Sequence, residues 1–178
     1  MKIIKRFLLI IIMIGFTMTA NANDENILLL ELKDGTVTIE MKPEVAPMHV
    51  ARIKELVREG FYDGLTFHRV IAGFMAQTGD PLGNGTGGSG QNIDAEFNNE
   101  RHIRGTLSMA RARDPNSADS QFFICFDDAP HLNGQYTVWG QVIDGMEHVD
   151  SIKKGEGANG AIIGDPDIIV SMKIKADL

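Results

Sequence analysis

The chain has 178 residues, 43% of them hydrophobic, and a net charge of −7 from 17 Lys and Arg against 24 Asp and Glu. An acidic balance repels a phosphate backbone, so nucleic-acid binding is excluded as its main task. The single cysteine excludes an internal disulfide, and the length suits one domain around one core.

Lys2, Lys5 and Arg6 precede the apolar run Phe7 to Phe16, which ends near Ala20-Asn21-Ala22. This pattern reads as a cleavable secretory signal peptide over residues 1–22, leaving a domain over 23–178 and, in a Gram-negative cell, a periplasmic location. The run falls short of the roughly 20 apolar residues that a transmembrane helix needs, so no stable membrane anchor is expected. No cysteine stands near the cleavage site, which disfavours a lipoprotein. Losing the leader removes three basic residues and no acidic one, making the remainder more acidic still.

Ile27–Leu32 and Thr36–Met41 flank Lys33-Asp34-Gly35 and alternate as the arms of a hairpin. From Pro47 to Arg58 the apolar residues Val50, Ile53, Leu56 and Val57 recur at helical spacing, with Pro47 fit for a first turn and Gly60 for the exit. Short strand-like runs follow at 65–71, 74–78, 106–110, 121–126, 136–143 and 168–174. Between the last two, Asp144 is expected to cap a second helix with Glu147 as its capping-box partner and Met146, Val149 and Ile152 inside. Two helices and about eight strands without βαβ alternation predict a mainly β domain, an antiparallel barrel or sandwich.

Gly85-Thr86-Gly87-Gly88-Ser89-Gly90 matches the dinucleotide pattern letter by letter, but no core strand precedes it and no helical stripe follows. The long polar stretch 79–99 reads instead as surface loop walling a groove. The five histidines have no ligand spacing and no serine sits in an elbow motif, so neither a metal site, nor a cofactor, nor a serine triad is expected. Cys125, within Phe122 to Phe126, reads as a small buried hydrophobe. More telling is Phe67 to Asp80, where Arg69, Ile71, Met75 and Gln77 fall on one face of an extended segment while His68 and Val70 face away. A cationic fork, an apolar floor and an amide then share a surface, although an ordinary solvated face would also produce such a segment.

The ordered blocks FHRVIAGFMAQTGD, NGTGGSG, GTLSMA, SQFFI and LNGQYTVWG, set within residues 27 to 178, resemble the cyclophilin-type peptidyl-prolyl cis-trans isomerases, in particular their short bacterial members. The resemblance implies a closed eight-stranded antiparallel β-barrel capped by two α-helices, with the groove on its outer face. It implies Arg69 and Gln77 as catalytic residues, and Phe74, Met75, Phe123 and Leu132 lining the pocket for the proline ring, with Tyr136 at its edge. Ala110, Arg111 and Gln121 would line the subsite for residues before the proline, and His131 would border the pocket. It implies a monomer without cofactor, acting on proline-containing segments of unfolded or partly folded exported proteins. The alternative is a chaperone that holds such segments without turnover. Ala72, Thr78 and Arg111 depart from residues common among relatives, and His131 stands where animal relatives carry the Trp that packs on cyclosporin.

Overall fold

A computed structural model describes residues 23–178, and the leader read over residues 1–22 lies outside the described residues. The hairpin forms as expected, β1 (Ile27–Leu32) against β2 (Gly35–Met41), in a register that sets Leu30 opposite Val37 and Leu28 opposite Ile39. All four of these side chains are fully buried. The helix α1 (Pro47–Arg58) has the bounds its Pro and apolar spacing predict, and it buries Val50, Ile53, Leu56 and Val57. Its N-terminus lacks a local side-chain cap. The carboxylate of Glu96 serves instead, accepting from the backbone N–H groups of Met48 and His49 at 3.0 Å each and from His49 Nδ1 at 2.7 Å. Free N–H groups and the positive end of the helix dipole both favour an anion there. Burial pushes the Glu96 carboxyl up, but the bonds from the His49 ring and the two amides outweigh it and hold the group below its ordinary value.

The remaining strands are short: β3 (Arg69–Ile71), β4 (Met75–Thr78), β5 (Thr106–Met109), β6 (Phe122–Cys125), β7 (Val138–Asp144) and β8 (Ser171–Ile174). All pairings are antiparallel, in the order β3-β4-β6-β5-β7-β2-β1-β8. The curled sheet wraps a core in which Phe122 meets Trp139 edge to face at 5.4 Å and Tyr62 at 5.6 Å.

Two expectations are corrected. The strands do not close into a barrel, because β3 and β8, at the two ends of the order, form no ladder with each other. The run expected at 65–71 becomes regular strand only at Arg69, so the seam is spanned by irregular chain. One isolated bridge joins Thr66 to Ile168, and hydrogen bonds run from Phe67 N to Asp167 O (2.9 Å) and from Ile169 N to Leu65 O (2.8 Å). The eight strands therefore form a half-barrel. The second correction concerns α2 (Met146–Asp150), which is not capped by Asp144. That residue still belongs to β7, and the helix enters through Gly145 at φ 78°, where a Cβ would overlap the Thr36 carbonyl oxygen.

Candidate active site

A strand of period two shows alternate residues to opposite faces, and β3, β4, β5 and β6 use both. Val70, Ala76, Leu107, Phe122 and Ile124 enter the main core. On the outer face the ladders line up Arg69 with Gln77, Gln77 with Phe123, and Phe123 with Ser108. A second row there pairs Ile71 with Met75 and Met75 with Cys125. Arg69, Ile71, Met75 and Gln77 thus share one surface, as their spacing predicts.

The outer face carries its own apolar cluster, separate from the main core. Met75, Phe123, Cys125, Ala129 and Leu132 are buried in it, and Ile71, Phe74, Ala110 and Tyr136 pack around them half-exposed. Leu132 arrives on a 3₁₀ turn over Pro130–Leu132. The Tyr136 ring meets Phe123 edge to face at 6.0 Å, and the exposed His131 ring lies 5.4 Å from that of Phe74. Burial pushes the Cys125 thiol up to about 12, with Asp128 adding to the effect, so the sulfur is an inert packing element.

Along one edge of this cluster runs a directed chain of hydrogen bonds. Arg69 Nη1 donates to Gln77 Oε1 (3.1 Å), Gln77 Nε2 to Gln121 Oε1 (2.9 Å), and Gln121 Nε2 to the Gly87 carbonyl (2.7 Å). Arg69 Nε donates to the Asn159 carbonyl at 3.1 Å. Both of these partners are neutral oxygens, so among the described residues no ion pair neutralises the guanidinium charge. Next to the chain lies a cavity of about 280 Å³ lined by Gln77, Gln121, Ala110, Arg111, Gly87 and Asp119, among others. The Arg111 guanidinium is itself tethered, 4.5 Å over the Tyr136 ring and bonded to the Gln135 carbonyl at 2.9 Å.

The glycine-rich loop behaves opposite to a phosphate cradle. Its amides are spent on the chain's own carboxylates: Leu82 N and Asn84 N donate to Asp80 at 2.8 and 3.0 Å, and Ser89 N and Gly90 N to Asp119 at 3.0 and 2.9 Å. Side chains at Gly87 and Gly88 would overlap those carboxylates. Burial raises the Asp80 carboxyl, yet the surrounding backbone amides win and hold it below its ordinary value.

Every site residue expected from the sequence lies on this outer face or at its rim. Several participants are not singled out by the sequence: Ala129 in the apolar cluster, the Asn159 carbonyl behind Arg69, and His102 behind Phe123. A backbone carbonyl has no residue signature, and His102 is one of five histidines without ligand spacing.

Residues 27–174 match the family model of the cyclophilin type peptidyl-prolyl cis-trans isomerase/CLD. The chain is 55% identical over 177 residues to a probable peptidyl-prolyl cis-trans isomerase of Brucella suis, covering 92% of this chain and 90% of that protein. It is 48% identical over 128 residues to peptidyl-prolyl cis-trans isomerase B of Bacillus subtilis, covering 70% and 89%. A crystal structure of a cyclophilin from Hirschia baltica superposes with a TM-score of 0.77 at 32% identity, over 87% of this chain and 76% of that one. A cyclophilin type isomerase of Cryptosporidium parvum, crystallised in the presence of the dipeptide Ala-Pro, does so with a TM-score of 0.77 at 33% identity, over 83% and 98%.

Proposed function

The chain belongs to the cyclophilin-type peptidyl-prolyl cis-trans isomerases and is an enzyme of that kind, and from that premise we propose that it turns X-Pro bonds of exported proteins as they fold, with Arg69 and Gln77 at the rotating bond. Resonance in the amide sets a barrier of about 18–20 kcal/mol. Twisting the bond breaks that resonance, and the prolyl nitrogen becomes pyramidal and gains a lone pair. A fixed cation can hydrogen-bond to this lone pair far better than to the planar nitrogen of the ground state, so binding the twisted form lowers the barrier.

The observation that carries the reading is the chain from Arg69 through Gln77 to Gln121 at the edge of a separate apolar cluster. Met75, Phe123 and Leu132 supply a floor for the proline ring, with Phe74 and Tyr136 at its sides and His131 outside Phe74. The guanidinium is held in place by Asn159 and Gln77, so little reorganisation is needed when the lone pair appears. Gln77 has a second N–H to hold a substrate carbonyl on the fixed side of the bond. The cavity beside it, with Ala110, Arg111 and Gln121, takes the residues before the proline. The dipeptide in the Cryptosporidium crystals has the size and chemistry this arrangement suits.

One charge-assisted hydrogen bond is worth roughly 1.5–3 kcal/mol, or about ten- to a hundredfold in rate. The remainder has to come from gripping the ring and the flanking backbone. A cis/trans exchange measurement on an Ala-Pro peptide by NMR tests the reading. Exchange no faster than in buffer, with the peptide bound, would replace catalysis by mere holding. The leader-like segment over residues 1–22 supports a periplasmic site of action and exported proteins as clients.

A further inference from the structure

His102 lies just before β5 and is 1% exposed. Its ring stacks on that of Phe123, with 18° between the planes and 6.1 Å between centroids. Its Nδ1 meets Asn133 Oδ1 at 3.1 Å, and its backbone N–H donates to that same oxygen at 2.8 Å. Asn133 directly follows the turn that carries His131 and Leu132. The His102 Nε2 meets Ser108 Oγ at 2.9 Å, and Ser108 stands opposite Phe123 in the β5–β6 ladder. The His102 carbonyl accepts from the backbone N–H of Ala129, another member of the outer apolar cluster.

One buried residue therefore reaches the Phe123 ring, the strand beside it and the turn that supplies Leu132. Burial keeps its imidazole below the ordinary histidine value despite the bond to the Asn133 side-chain oxygen. Phe123 is pressed from two directions, by the His102 plane and by the Tyr136 edge. The outer torsion of a phenylalanine is soft, so its ring angle is set by such neighbours.

We infer that His102 is a positioning residue for catalysis: it fixes the Phe123 ring and ties the Leu132 turn to it, so that pocket shape and substrate affinity depend on a side chain that never touches substrate. This rests on the isomerase reading above. Ordinary core filling would make His102 matter for stability alone.

The test compares wild type, His102→Leu, which removes ring and polar atoms, and His102→Phe, which restores a ring face. Each is followed by peptide exchange kinetics, thermal unfolding and the NMR signals of the Phe123 ring. The expected result for His102→Leu is a KM raised about threefold to tenfold, what losing one well-placed aromatic contact allows, with kcat changed less and the Phe123 signals shifted. His102→Phe should recover much of the KM. A folded His102→Leu with wild-type KM and Phe123 signals, or an effect confined to the thermal midpoint, overturns the inference. Should neither variant fold, Asn133→Ala cuts the tie to the turn without emptying the core and must move the same signals, or the inference falls. A wild type without turnover would sink the isomerase reading instead, while the Phe123 signals and peptide titration would still decide the role of His102.

Discussion

Replacing Arg69 by Ala removes two hydrogen bonds of 3.1 Å, to the Asn159 carbonyl and to Gln77 Oε1, and breaks no ion pair among the described residues. The side chain is part-exposed and lies outside the main core, so the fold should lose no more than about 1 kcal/mol. Catalysis should suffer far more. Taking away a single preorganised donor to a transition state costs about 10²–10³ in rate, and here Gln77 also loses the partner that orients it. We expect kcat/KM to fall by about 10²–10³ while peptide affinity, which the proposed reading assigns to the apolar cluster, changes little. Arg69→Lys keeps the charge but loses the planar fork that spans Asn159 and Gln77, and should recover only a small part of the loss. The assay is cis/trans exchange on an Ala-Pro peptide, with the thermal midpoint measured alongside. An Ala variant retaining more than half the wild-type rate would refute the assigned role.

The buried rings of His49, His68 and His102 are each pushed by burial below the ordinary histidine value of 6.5, against the pull of Glu96, Asp80 and Asn133 respectively. Folding therefore favours the neutral rings: stability should be level above about pH 6.5 and fall as acid protonates the unfolded chain, by up to about 1.4 kcal/mol per pH unit for each ring. Urea midpoints that agree between pH 7.5 and 5.5 would contradict this. Cyclosporin A should inhibit at least about tenfold more tightly after His131→Trp, because an indole adds apolar surface beside Phe74 and a donor N–H, with peptide turnover nearly unchanged. Unaltered inhibition would place that side chain away from the drug. Mass spectrometry of envelope extracts should find a chain beginning at Asn23, and an intact residue 1–22 segment there would indicate a retained anchor.

Features written locally were legible in the sequence. The helix from Pro47 to Arg58 carries its own start residue and stripe, and the alternation around Arg69 and Gln77 correctly sorted one face from the other. What depended on distant chain was not. Glu96 caps a helix that begins 49 residues earlier in the numbering, at Pro47, and nothing near Ala46 announces it. The capping box at Asp144 failed because a local pattern competed with a strand whose partner, β2, lies far upstream. Barrel closure was an expectation of the family resemblance, and the strand pattern could not check it, since periodicity identifies strands but not whether the two outermost ones meet. His102 escaped notice because its significance comes from neighbours on three separate segments.

The two-sided strands β4 and β6 also say which kinds of genetic change the molecule can absorb. Stability resides in the inward residues Ala76, Thr78, Phe122 and Ile124, while Met75, Gln77 and Phe123 face the outer surface where we propose the substrate binds. Point changes on the outward positions can retune specificity with the interior left alone. Deleting or inserting a single codon within either strand is another matter, because it exchanges every downstream inward and outward residue and would turn pocket and core inside out together. Length variation across descendants of this chain should accordingly collect in the loops, such as the stretch after Gly79, and spare these four-residue segments.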